Sequence, residues 1–190
     1  MSLTTFSLSI SPDAWIQTFG GFFGALLAGG IAIYLFKRQV NHEFRRTRIK
    51  ELHNFLKSYY VLNDWIVWFL ITADSITEMM EDDNNTIQYR IELLPYQLES
   101  LNSYMFQLNQ INDDYIPQEI YKAYLEVKSI IAIFKKQCEV DLNIYQQGRM
   151  SPTKEIYRLQ VKLLNRHKEE IDQYAKGKEE ELKKLTNKEK

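Results

Sequence analysis

Apolar residues follow two regimes along this chain. From Trp15 to Phe36 they run for 22 residues without a charge, WIQTFGGFFGALLAGGIAIYLF, and from Val40 onward they recur at intervals of three and four. The first regime predicts a membrane-crossing helix. At about 1.5 Å per residue it would be about 33 Å long, against a hydrocarbon core of about 30 Å. Ser11-Pro12-Asp13 supplies an N-cap, a proline at the first helical position, where its missing N–H costs nothing, and an acid at the positive helix end. Trp15 and Tyr34 stand where interfacial aromatics belong.

The second regime predicts further helices. Leu52, Phe55, Leu56, Tyr59, Leu62, Ile66, Phe69, Leu70, Ala73, Ile76 and Met80 keep helical spacing, and no Gly or Pro occurs between Ile31 and Leu94. The first helix is therefore expected to run from Pro12 to about Met80, with a bend near Gln39 to His42 as the alternative. Glu81 to Thr86 reads as a polar turn ending in an N-cap. Ile87, Ile91, Leu94, Leu98, Leu101, Met105 and Leu108 then form a heptad seam, which Pro95 should kink or restart. Asn112-Asp113-Asp114 is the next break, with Pro117 just inside a third helix. The seam of that helix is Ile120, Tyr124, Val127, Ile131, Phe134, Cys138, Asp141 and Tyr145. Gly148 fits its C′ position, and Ser151-Pro152 opens a fourth helix with Ile156, Leu159, Leu163, His167, Ile171 and Tyr174 on one face. Beyond Ala175 only Leu182 and Leu185 can pack, and a frayed or disordered tail is expected.

The fold class expected is all-α: a single N-terminal transmembrane helix continuing into a cytoplasmic helical bundle. Its divisions are an outer tail (1–14), the transmembrane helix (15–36), a basic juxtamembrane helix (37–57), the bundle (58–175) and a charged tail (176–190). Composition agrees: of 7 Gly and 4 Pro, five glycines lie in the apolar stretch. A single Cys138 excludes an internal disulfide and fits a reducing compartment.

A secretory signal peptide would place positive charge before its apolar core. Here the order is reversed. The first 14 residues carry only Asp13 and the terminal amine, whereas Lys37, Arg38, Arg45, Arg46, Arg48, Lys50 and Lys57 follow the apolar stretch. The positive-inside rule then puts the N-terminus outside and the C-terminal domain in the cytoplasm, with the chain in the cell membrane. Net charge is segregated: −1 over residues 1–36, +5 over 37–57, −10 over 58–120 and +5 over 121–190. Lys37, Arg38, Arg45, Arg46, Arg48 and Lys50 suit anionic lipid headgroups, and the acidic middle argues against nucleic acid as a partner.

Within the span, Gly20, Gly24, Ala28 and Ala32 form one helical row, and Gly21, Ala25 and Gly29 the adjacent one. Bulky residues take the other half, with Gly30, Ile31 and Leu35 as exceptions. Small-xxx-small rows let helix backbones approach in lipid. Homo-oligomerisation through these rows is expected, in a dimer or a ring. The dense aromatics of the first cytoplasmic helix, Tyr59, Tyr60, Trp65, Trp68 and Phe69, read as core or protomer interface, with a protein partner as the further use of the bundle.

Signatures of enzyme chemistry are scarce. There is no glycine-rich phosphate loop, paired cysteine, HExxH or GxSxG, and no metal or cofactor is expected. His42-Glu43 opens like a zincin motif, but Arg46 stands where the second His belongs. Arg48-Ile-Lys-Glu-Leu-His53 resembles the Arg-x(4–6)-His motif of the HEPN ribonuclease superfamily, helical bundles that dimerise and cleave RNA without metal. That resemblance implies Arg48 on a phosphate and His53 in acid–base work. It departs from the family in the apolar Ile49 after the arginine and in its place on the membrane-proximal helix. A basic juxtamembrane patch is the reading preferred, and no enzyme is expected.

The whole plan, with a short neutral tail, Trp15, a glycine-rich span and a basic helical body, resembles small single-pass membrane proteins of Gram-positive bacteria and their prophages. It is also similar to membrane-anchored HEPN-like accessory proteins of RNA-targeting CRISPR systems. These resemblances imply phage exclusion or antiviral defence at the membrane, by permeabilisation in the sharper form. A tethered ribonuclease and a passive anchor or adaptor are the alternatives.

Overall fold

The computed structural model describes residues 12–151 and 154–187, with side chains from Phe19 onward and, in the last helix, from Glu155. Ser11, the tail before it, the Trp15 side chain, Pro152 and the last three residues lie outside the described residues. The order is α1 (Pro12–Glu81), α2 (Ile87–Asn109), a 3-10 turn (Asp113–Tyr115), α3 (Gln118–Gln146) and α4 (Lys154–Asn187), with no strand among the described residues. The chain divides into two compact units, one ending at Arg48 and one beginning at Ile49.

In the first unit every side chain of α1 from Phe19 to Phe44 is exposed. This is the one described helix long and apolar enough to cross a membrane, by length and composition.

In the second unit all four helices contribute to one apolar core. Leu62, Ile66, Phe69, Ala73 and Ile76 come from α1, Leu94 and Leu101 from α2, Val127, Ile131 and Phe134 from α3, and Tyr157, Leu164 and Ile171 from α4. Phe134 stands at the centre, edge-on to Phe69 at 5.4 Å and to Tyr157 at 5.1 Å. The core begins at Leu52, Phe55 and Leu56, so part of the expected juxtamembrane segment belongs to the packed unit.

Each boundary has a local cause. After Glu81 the Asp82 carboxylate accepts from the Asn84 amide at 2.9 Å, and Asn85 Nδ2 donates to the Met79 carbonyl at 3.1 Å, satisfying a helix-end acceptor. Thr86 caps α2 by accepting from the Tyr89 amide. Pro95 sits exposed inside α2, which neither ends nor restarts there. Pro117 is the N-cap of α3, one place earlier than expected. Gly148, at φ 72°, ends α3: its amide donates to Tyr145 O at 2.8 Å and that of Arg149 to Ile144 O at 3.2 Å, a Schellman pairing.

The α4 face is a correction. Tyr157, Gln160, Leu164, Ile171 and Ala175 are buried, whereas Ile156, Leu159 and Leu163 are 39%, 57% and 38% exposed. The expected stripe is one residue out of phase at Ile156, Leu159 and Leu163, whereas Ile171 is buried and Tyr174 packs against the core as expected. Tyr157 sets the rotation, because its ring packs on Phe134 while its hydroxyl donates to Asp141 at 2.7 Å. The charged tail is corrected too: α4 continues through Gly177 to Asn187, with Leu182 packed against the core and Lys178 paired with Glu181 at 3.0 Å.

Replacing Phe134 with Ala should cost about 3–5 kcal/mol of stability, as expected for a fully buried aromatic. Thermal unfolding of the solubilised full-length protein, followed by circular dichroism, reads this out.

Candidate membrane interface and buried polar ties

The small residues predicted to pack in the membrane stand clear of the rest of the chain. A methyl group added at Gly20, Gly21, Gly24 or Gly29 would meet nothing within 4 Å, and Ala25, Ala28 and Ala32 are exposed. Around them Phe22, Phe23, Leu26, Leu27, Ile31 and Ile33 are all more than half exposed. Apolar surface of this extent on both halves of a helix is unstable in water unless something covers it.

Just beyond, Lys37, Arg38, Arg46 and Lys50 are exposed, and Arg45 and Arg48 are half-buried. Tyr34, Lys37, Arg38 and Asn41 line a surface hollow of about 370 Å³. Their spacing of three, one and three places them on one helix face. Lys37 and Arg38 were singled out in the sequence for their charge. Tyr34 was read only as an interfacial ring, and Asn41 went unnoticed because one amide carries no pattern.

His53 is exposed and no described residue pairs with it, while Arg48 closes the first unit. No group of three or more His, Cys, Asp or Glu side chains able to hold a metal occurs among the described residues.

Polar chemistry inside the second unit is concentrated where the α1–α2 and α3–α4 turns lie. Arg90 is fully buried and donates to the Asp82 carbonyl at 2.9 Å and to the Tyr145 hydroxyl at 3.2 Å, its guanidinium 5.5 Å from the Tyr145 ring centre. No carboxylate pairs with it among the described residues, and its Nε lacks a partner there. What offsets the buried charge is the Asp82 carbonyl at the C-terminal end of α1, where the helix carries partial negative charge, together with the Tyr145 hydroxyl and ring. Its neighbour Tyr145 donates to Met80 Sδ at 3.1 Å.

Asp141 is the second tie. Its buried carboxylate accepts from Gln137 Nε2 and Ser151 Oγ, both at 2.9 Å, and from the Tyr157 hydroxyl at 2.7 Å. Burial is the main cause that raises the Tyr157 phenol, and it pushes the Cys138 thiol up to about 12. These groups hold helices together and leave no exposed nucleophile. Asp141 and Tyr145 were placed on the α3 seam by spacing alone. Arg90 was missed, since an arginine beside a heptad seam reads as solvated.

With the geometry in view, comparison adds nothing by likeness: no family model, curated protein or solved structure matches the chain.

Two outcomes follow from the ties. Arg90→Ala should lower stability by about 1–3 kcal/mol, because the buried Tyr145 hydroxyl and the part-buried Asp82 carbonyl lose their donor. Urea unfolding of the full-length protein measures it. At pH 8 the raised Cys138 pKa lowers the thiolate population about 10³-fold against an ordinary thiol, so maleimide labelling should be slow in the native protein and fast in guanidinium. Equal rates in both would contradict the burial.

Proposed function

We propose that this chain is a single-pass membrane protein that self-associates through its span and holds its four-helix unit at the cytoplasmic face as an interaction domain. The observation that carries the reading is the stretch from Phe19 to Phe44. It is exposed throughout, its apolar part free of charge and its glycines open to approach. Lipid covers the bulky half, and a second span covers the rows of Gly20, Gly24, Ala28 and Ala32 and of Gly21, Ala25 and Gly29. The basic residues after the span orient the chain with its N-terminus outside.

The setting that the plan of the chain favours is phage exclusion or antiviral defence. In its sharper form a ring of spans permeabilises the membrane. No charged residue lies in the span, so such a path would be apolar and closed by dewetting at rest. Catalysis is not required.

The mass of the detergent-solubilised full-length protein tests the core of the proposal. A defined oligomer is expected, which the pair Gly24→Leu and Ala28→Leu should dissociate at least tenfold more readily. Because an added methyl at Gly24 meets nothing within 4 Å, helicity should not change. An oligomer that survives the pair overturns packing on these rows.

A further inference from the structure

Gly30 breaks the pattern of the span. At about 100° per residue it falls on the bulky half, among Phe23, Leu27 and Tyr34, instead of with the other glycines. A methyl group built on it meets nothing within 4 Å, as at the other glycines of the span, so the missing side chain leaves a notch among its bulky neighbours. The same side of α1 carries Lys37, Arg38 and Asn41, which together with Tyr34 line the hollow of about 370 Å³. All four side chains are exposed, and none hydrogen-bonds or pairs with another described residue. Glu43 is the one acid between Lys37 and Lys50, and by the same count it lies on the opposite side of the helix.

We propose that this face binds one anionic phospholipid per protomer. Lys37 and Arg38 take the phosphate, Asn41 and the Tyr34 hydroxyl donate to headgroup and glycerol oxygens, and an acyl chain lies in the Gly30 notch between Leu27 and Tyr34. A lipid fits better than a free phosphate because the notch and the two cations are adjacent: a soluble anion would use only the cations. The small-residue rows occupy the other half of the helix, so an assembly packed on them leaves this face open to the bilayer. The site rests on reading the span as membrane-crossing.

Native mass spectrometry of the full-length protein, in detergent micelles doped equally with phosphatidylglycerol and phosphatidylcholine, tests the site. The expected result is one phosphatidylglycerol retained per protomer in preference to phosphatidylcholine. Lys37→Gln with Arg38→Gln should lower that retention about 30-fold, at roughly fivefold per cation near the surface. Arg46→Gln with Lys50→Gln removes the same charge from the same block, but away from the Tyr34–Asn41 face, and should lower retention far less. Gly30→Leu should weaken it with no change of charge.

Equal loss in the two double variants overturns the site in favour of diffuse attraction, and so does retention that Gly30→Leu does not alter. Displacement by millimolar glycerol 3-phosphate, with no effect of the acyl chains, overturns it in favour of a free-phosphate site. Carbonate extraction of cell membranes separates the two levels of the proposal. A chain released into the soluble fraction overturns the span reading and the site together, whereas one that stays in the membrane without lipid preference overturns the site alone.

Discussion

Apolar surface has to be kept from water, and α1 meets that requirement in two different ways along one helix. From Leu52 onward its apolar residues form a stripe, and the chain covers the stripe itself with α2, α3 and α4. Between Phe19 and Phe44 the apolar residues go all round the helix and none of them is buried. An element apolar on every side needs an apolar solvent or another copy of itself. The second unit supplies its own cover; the described part of the first does not.

Seam positions were legible where they repeat. All eight residues of the α3 seam are buried, because heptad spacing over several turns leaves no other phase for the helix. In α4 two apolar stripes run one residue apart, and Ile156, Leu159 and Leu163 are no less apolar than the residues buried in their place. The choice depended on Tyr157 finding both a ring and a carboxylate on α3, which is tertiary information. The run after Ala175 was misread for a related reason. Its charges suggested solvation, but i,i+3 pairing and Leu182 sustain the helix. Of the features of the first unit, charge and small-residue spacing could be read directly, while the hollow at Tyr34 and Asn41 required coordinates.

The two polar ties work by different electrostatics. Asp141 accepts from Gln137, Ser151 and Tyr157, two of these donors being hydroxyls, which favours its charged form. Arg90 is held by a carbonyl at the C-terminal end of α1 and by the Tyr145 hydroxyl and ring. Buried polar groups satisfied in this way restrict which helix faces can meet, more than they add net stability. Both ties lie by the two turns that join consecutive helices, where a slip of one helix along another would separate donor from acceptor.

The last helix closes against the first turns of the unit. Tyr59 donates to Asp172 across 113 positions of sequence, and Phe55 meets the edge of Tyr174 at 5.6 Å. During synthesis, therefore, the 113 positions between Tyr59 and Asp172 have to be made before this first turn of the unit can meet its partners. Until then the apolar stripe of α1 is without its α4 cover while the charge-free stretch ahead of it has already emerged. Emergence of that stretch and closure of the unit are thus ordered in time by the layout of the chain: the charge-free segment emerges first, and the helical unit closes only once α4 has been made.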